Sequence, residues 1–518
     1  MAVQTKSVPK TAAYAVQAAL LAGFVTHLFG LVNIMHNNDD IWQQPMGYGT
    51  GLSSGRWLLT ILGDFQMRLG LGYNLSVVNG VLFLAMIAVT AGIVVSVFRI
   101  QNTVRAGIIG ILFAVFPSVT SVLFFKYTTI TYGIAILLSV LAVWVLKYRR
   151  FGLLLSALCT ACGLGIYQAY VPITITMMVL LMIQQVLEGT SDFWQVVRRG
   201  LYYCAALILG LVVYFGLLKL CLAVYGTELS DYQGVNNMGV ISLGTLPGLV
   251  LRAFKDFCKM PLYDYCGLAN IALLRGLYLI LAGVTAVLIG YILIVKIRKW
   301  EMALAAAVLC GLLPVAANFA VVMCPDALIY TLMVYSFVLI PCMPLILMEC
   351  LPPMEGVWKK IHAWMGKGLA AAVLLMAFCY GYYANVNYTA MYFSNRQVEN
   401  YWNSIVTQVR MTEGFEPDQQ WALMGNIQDP MLGSAWADAV SYGGNRFTDD
   451  LLNQYSRLAW VSNYMGIQIP AASQERIEEL SRTEQVRAMP CWPAQGSVRI
   501  VEDTVIIKFQ ELAEEVSE

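Results

Sequence analysis

The sequence predicts a mainly α-helical protein that crosses a membrane about eleven times and ends in a small extracytoplasmic α/β domain. Three observations carry this expectation. Hydrophobic residues make up 59% of the 518-residue chain and charged residues only 12%, against roughly a quarter charged in soluble domains. Apolar runs long enough to cross a bilayer core, about 20 residues at about 1.5 Å each, recur as far as residue 388. After Tyr388 the composition turns polar, beginning "SNRQVENYWNSIVTQVR".

The expected spans lie near residues 12–33, 75–98, 104–123, 128–146, 152–169, 171–187, 201–225, 272–295, 302–323, 328–349 and 368–388. The first has no small-residue cleavage motif behind it and is long for the apolar core of a signal peptide, so it reads as a retained span. Basic residues in short loops stay on the cytoplasmic side. Placing the N-terminus inside puts Lys6, Lys10, Arg149, Arg150, Lys296 and Lys299 there, with other basic residues, while the short outer loops hold about half as many. The C-terminal region is then extracytoplasmic. This divides the chain into a membrane domain, 1–388, and a soluble domain, 389–518.

Two outer segments are too long for simple connectors. Residues 34–74 open on "IMHNNDDIW", pass through a Gly- and Ser-rich bend and end in "SGRWLLTILGDFQMRLG". There Trp57, Leu58, Ile61, Leu62, Phe65 and Leu69 share one helical face, as in a helix lying in the membrane interface. Residues 226–271 hold a second such stretch, Leu246 to Phe257. In the soluble domain, helices are expected near 393–414, 448–465 and 473–482 and strands near 420–426, 497–501 and 504–509, the last two forming a hairpin turned at Glu502 and Asp503.

A net charge of +1 gives no electrostatic footprint for nucleic acid. The chain has neither the Gly-x4-Gly-Lys-Ser/Thr phosphate loop nor a dinucleotide fingerprint. Most of the twelve cysteines fall in apolar runs, where a thiol is a small packing group. Cys159 and Cys162 make a mid-helix CxxC without a second pair, Cys258 and Cys266 share a loop in which they can bridge, and Cys491 stands alone. No disulfide framework follows.

The chemistry-bearing cluster is "HNNDD" at 36–40. Asp39 and Asp40 sit where the first span ends, with Arg56 seventeen residues beyond Asp39 at the start of the interfacial helix. Lys126, Lys219 and Arg252 place further cations at outer helix ends or in outer loops. "FFKYTT" at 124–129 and "GIYQAY" at 165–170 add aromatic and amide groups, Tyr127, Tyr167 and Gln168, at the same level. A plainer account exists for each: carboxylates that wet a loop, cations that snorkel to headgroups, interfacial tyrosines. Lys219 is harder to dismiss, because an ionisable group at membrane depth is costly. Carboxylates and cations at an outer lipid surface suit transfer of a sugar from a lipid phosphate. A carboxylate takes the proton of the incoming hydroxyl, and Arg or Lys stabilises the departing phosphate. No cofactor is required. His36 beside the carboxylates has no second ligand at a metal-binding spacing to support a divalent cation. Asp326, in "MCPDALIY", is a further acidic candidate or a helix cap.

The order "NNDD", then "SGRW" opening an interfacial helix, then "FPSVTSVLFFKYTTITYGIA" and "GLGIYQAYVPI", resembles the Gtr type II membrane glucosyltransferases of the GT-C superfamily over roughly residues 15–350. The resemblance implies a GT-C-type membrane domain, a polyprenyl-phosphate-glucose donor, undecaprenyl-linked in a bacterium, and an envelope glycan acceptor such as O-antigen or teichoic acid. It also implies inversion at the anomeric carbon and a base at Asp39 or Asp40, with Asp39 favoured by analogy. Arg56, Lys126 and Lys219 are then the candidates for donor phosphate, and Tyr127, Tyr167, Gln168 and Asp326 for substrate.

The rival class is a transporter or lipid-linked glycan flippase without covalent chemistry. It accounts for the spans, but the sequence has no internal repeat and no paired broken helices in matching halves, and transport gives no use to the long first loop or the soluble domain. A glycan polymerase or ligase shares the lipid-linked substrates, and a scaffold role is the remaining reading.

Overall fold

The computed structural model describes residues 9–230, 244–353, 355–436, 438–444, 448–453 and 455–512. Lys6, counted above for orientation, and residues 231–243 of the second long loop lie outside these. The chain divides into two compact units. The first holds Met1–Val32, Gly47–Asn385 and Val440–Gly443, and the second Asn33–Met46, Val386–Ala439 and Gly444–Glu518.

In the first unit every expected apolar run is largely helical, but not every run is a full span. Among the described residues eight helices are long and apolar enough to cross a membrane: Lys10–Val32, Ser76–Val97, Thr129–Tyr148, Gln168–Glu188, Phe193–Tyr225, Ala272–Ile297, Trp300–Ala317 and Gly356–Arg410. The count becomes nine if Thr103–Val115 and Pro117–Leu123, bent by about 40°, make one span. The bend has a local cause. Pro117 offers no N–H and pushes Phe116 out of helical geometry, to φ −59° and ψ 141°. The remaining two runs give shorter apolar helices, Gly152–Ile166 and Tyr335–Cys350. The first of these stops where Tyr167 turns extended, at φ −155°. Of the eleven expected spans, eight are therefore full-length helices, one is the bent pair and two are shorter helices.

Lys10–Val32 packs along both Ser76–Val97 and Thr103–Val115. Small residues allow that approach: a Cβ at Gly92 would meet Val16 at 2.7 Å and the Ala12 carbonyl at 3.3 Å. The two expected interfacial helices form as Trp57–Arg68 and Leu246–Lys259. Each keeps an exposed apolar stripe, Ile61, Phe65 and Leu69 on one, Leu251 and Phe254 on the other, as a helix resting on lipid requires. Cys258 and Cys266 are free thiols, so the bridge that their shared loop allowed is not made. The Cys266 thiol instead donates to the Ile329 carbonyl at 3.4 Å.

The second unit is built on a three-stranded sheet. Its strands are β1 (Gln420–Met424), β2 (Val498–Val501) and β3 (Thr504–Lys508), in the order β1-β3-β2. β1 runs parallel to β3, pairing Gln420 with Thr504, and β2 antiparallel, pairing Val501 with Thr504. The hairpin turns at Glu502 and Asp503, with φ of 46° and 63°; two positive-φ residues give the turn whose twist matches the strands. Helix Gln474–Ser481 is capped by the Ser473 side chain. The stretch 448–465 is broken into Thr448–Asn453, Arg457–Ala459 and a π turn, Trp460–Tyr464, with residue 454 outside the described set. Trp402, Ile405, Trp460, Val505 and Ile507 form the core, and Ile41 is buried among them. That burial is why residues 33–46 belong with the second unit, whereas the sequence reading kept all of 34–74 in the membrane domain.

Candidate active site

In the first unit the segment before Trp57 is pinned from below. The Gln168 side-chain amide donates to the Ser54 carbonyl at 2.9 Å, and the Tyr214 hydroxyl donates to the Gly55 carbonyl at 3.0 Å. Gly55 has φ of 74°, and a Cβ there would lie 2.7 Å from the Tyr214 oxygen. Only glycine turns the chain at this point. The turn aims the Arg56 guanidinium at the face of Tyr167, 4.9 Å from its ring centre. Arg56 also donates to the Thr50 carbonyl at 3.3 Å. Tyr167 is stacked on Tyr132, with ring centres 4.3 Å apart, and meets Tyr170 edge-on at 5.1 Å. The cation thus rests on a braced aromatic wall. Arg56, Tyr167 and Gln168 line one pocket together with Ala320, Cys324, Ala327 and Met333.

Three sequence candidates therefore meet in one place. The others stand apart from this pocket's lining. Lys126 is buried, and its carbonyl accepts from Asn79 at 3.1 Å. Tyr127 lies against Gly49. Asp326 is exposed, between the lining residues Cys324 and Ala327. Lys219 is exposed on the helix Phe193–Tyr225, whose Tyr214 and Leu218 are buried. One residue past Leu218 turns the side chain about 100° around the helix. Lys219 therefore lies outside this pocket's lining. Tyr132, Cys324 and Met333 were not legible in the sequence, because a residue inside an apolar run carries no mark of the face it presents.

In the second unit the acidic pair is held firmly. Asn37 caps the short helix Asn38–Trp42, its side chain accepting from the Asp40 backbone at 2.6 Å. Asn395 clamps His36 by accepting from its N–H at 2.7 Å and donating to its carbonyl at 3.0 Å. The His36 Nδ1 then meets the Asp40 carboxylate at 2.6 Å, with Asp40 fully buried. His36 also packs edge-on against Tyr464, at 5.6 Å. Asp39 is only partly buried and accepts from the Tyr455 hydroxyl. Burial, and then the neighbouring Asp40 charge, push its carboxyl above the ordinary value. The two carboxylates have different environments and hence different capacities: Asp40 is committed to His36, while Asp39 remains accessible and retains its proton more strongly than a solvated Asp.

These features define an integral membrane protein of many helices, with a cationic-aromatic pocket in one unit and a histidine-carboxylate pair in the other. Residues 28–341, more than half of the chain, match the family model described as Glucosyl transferase GtrII. The chain belongs to this family of glucosyltransferases, the one its acidic pair and "SGRW" motif resembled. No curated protein matches it. No solved structure matches it either.

Proposed function

We propose that the protein moves a glucosyl residue from a polyprenyl-phosphate donor, undecaprenyl-linked in a bacterium, to a cell-envelope glycan. The transfer takes place on the extracytoplasmic side, with the N-terminus cytoplasmic, eleven crossings and inversion at the anomeric carbon. The observation that carries the reading is Arg56, braced at 4.9 Å over Tyr167 in a pocket that Gln168 also lines. A guanidinium held in this way is a preorganised anchor for a phosphate leaving group, with its fork matching two phosphate oxygens. Support for a lipid donor also comes from an apolar cavity of about 480 Å³, walled by Ala282, Ala286, Gly290, Ala303, Ala307 and Pro314. Phe257, Leu281, Ile289 and Leu293 line the same cavity, and such apolar walls suit an isoprenoid chain.

In the reaction the acceptor oxygen forms a bond to the anomeric carbon as that carbon's bond to the phosphate oxygen breaks. The acceptor's proton passes to Asp39, and the departing lipid phosphate keeps the electron pair. Asp40 and His36 hold the loop that carries Asp39. No cofactor enters these steps, because the donor already carries an activated sugar.

The test is mass spectrometry of envelope glycans from cells with the gene, without it, and with an Asp39→Asn, Asp40→Asn double variant at matched abundance. Loss of a single hexose from both the deletion and the variant is expected. Glycans unchanged in a deletion strain that lacks redundant transferases would refute the reading and favour transport.

A further inference from the structure

Trp42 closes the short helix Asn38–Trp42, and the fold leaves its ring open. The second unit buries Trp402, Trp421 and Trp460 almost completely, whereas Trp42 is 47% exposed and Tyr455 56% exposed. Most other described rings of this unit are buried or partly buried, Phe393 at 51% being the other strongly exposed one, and a large exposed aromatic face is informative in such a setting. The two rings lie nearly parallel, 8° apart in plane with centres 6.1 Å apart, which makes an offset stack.

This surface is fixed rather than loose. Ile41, the preceding residue, is anchored in the core, and the Asn463 side chain donates to the Ile41 carbonyl at 3.0 Å. The Asn37 cap and the Asn395 clamp hold the turn from the other side. At the platform's edge the Tyr455 hydroxyl donates to the Asp39 carboxylate. A broad aromatic face bordered by a carboxylate is complementary to a pyranose. The ring C–H groups of the sugar pack on the aromatic surface, and its hydroxyls donate to the carboxylate.

We infer that Trp42 and Tyr455 form the platform on which a pyranose of the acceptor glycan stacks, presenting its hydroxyl to Asp39. The inference rests on the reading of Asp39 as the base and extends it by naming the acceptor subsite. A tryptophan serving only as a headgroup anchor would have no need of a ring partner tied to the reacting carboxylate, and the two roles separate in kinetics.

The experiment uses the full-length protein in membranes of cells lacking the gene, with polyprenyl-phosphate-glucose as donor and the cells' own purified envelope glycan as acceptor. Trp42→Ala is expected to raise the acceptor KM about tenfold, the loss typical of one aromatic anchor, with the donor KM unmoved, and Trp42→Phe to recover most of it. Tyr455→Ala, at an exposed position, repeats the test if Trp42→Ala fails to accumulate. Tyr455→Phe keeps the ring, so its acceptor KM stays near wild type while the pH profile of kcat shifts. An unchanged acceptor KM in the alanine variants overturns the platform, as does a parallel rise in both KM values, which marks an anchoring or structural role. A wild-type protein that transfers no hexose overturns the proposed function itself, and the platform with it.

Discussion

Asp39→Asn is expected to remove glucosyl transfer while leaving the protein folded. Loss of a general base costs roughly 10²- to 10⁴-fold, or about 3–5 kcal/mol of transition-state stabilisation. The fold has little reason to object. An asparagine oxygen accepts from the Tyr455 hydroxyl as the carboxylate does, and the side chain is nearly isosteric. The sign of the stability change follows from the raised carboxyl of Asp39. A folded-state value above the unfolded one means that the native protein binds this proton more readily. The resulting cost to stability is absent below the unfolded value and full above the folded one. At neutral pH the amide removes that cost, so the variant's unfolding midpoint should equal or exceed the wild type's. The assay pairs hexose transfer in membranes with a thermal unfolding midpoint in detergent, at matched abundance. Transfer within a few fold of wild type would refute Asp39 as base. A collapse of the midpoint would refute the claim that the residue acts in chemistry rather than in folding.

Asp40→Asn should shift the acid limb of the rate profile to lower pH, because it removes the neighbouring charge that helps hold the Asp39 carboxyl up; a limb that stays in place or moves to higher pH would contradict the coupling. Arg56→Lys keeps the charge but loses the guanidinium fork and much of its stacking on Tyr167, and should raise the donor KM about tenfold with unfolding unchanged. Asn395→Ala orphans the buried N–H and carbonyl of His36 and should lower stability by about 2–4 kcal/mol, read as a drop in midpoint. Lys508→Met should cost a similar amount, about 2–4 kcal/mol, because the buried ammonium donates to the Arg487 and Met489 carbonyls at 2.8 Å each and to Glu511 at 2.7 Å. A midpoint insensitive to ionised or neutral replacement there would show those carbonyls satisfied by other means.

Membrane character, the interfacial helix at Trp57–Arg68, the three short strands and the turn at Glu502 and Asp503 were legible in the sequence because each rests on a local sum. Hydropathy over one bilayer thickness, apolar spacing around a helix, alternation along a strand and the turn preference of two residues all fall within a short window. Arg56, Tyr167 and Gln168 were legible as candidates by residue type and expected depth. Their meeting was not: it depends on Gly55, Tyr214 and the halt of a helix at Tyr167, which bring positions more than a hundred residues apart into one wall. Nor does a hydropathy window register the bend at Pro117 or the outward turn of Lys219, since it averages over all faces of a helix. The parallel pairing of β1 with β3 joins residues far apart in the chain, and the clamp of Asn395 on His36 spans 359 positions. The sequence by itself determined that this chain is rich in membrane-length apolar helices and pointed to the glucosyltransferase family to which it belongs. Tertiary structure decided that the acidic loop belongs with the C-terminal unit, because the burial of Ile41 and the pairing of two backbone groups by one amide are energies of long-range contact, which no local pattern encodes.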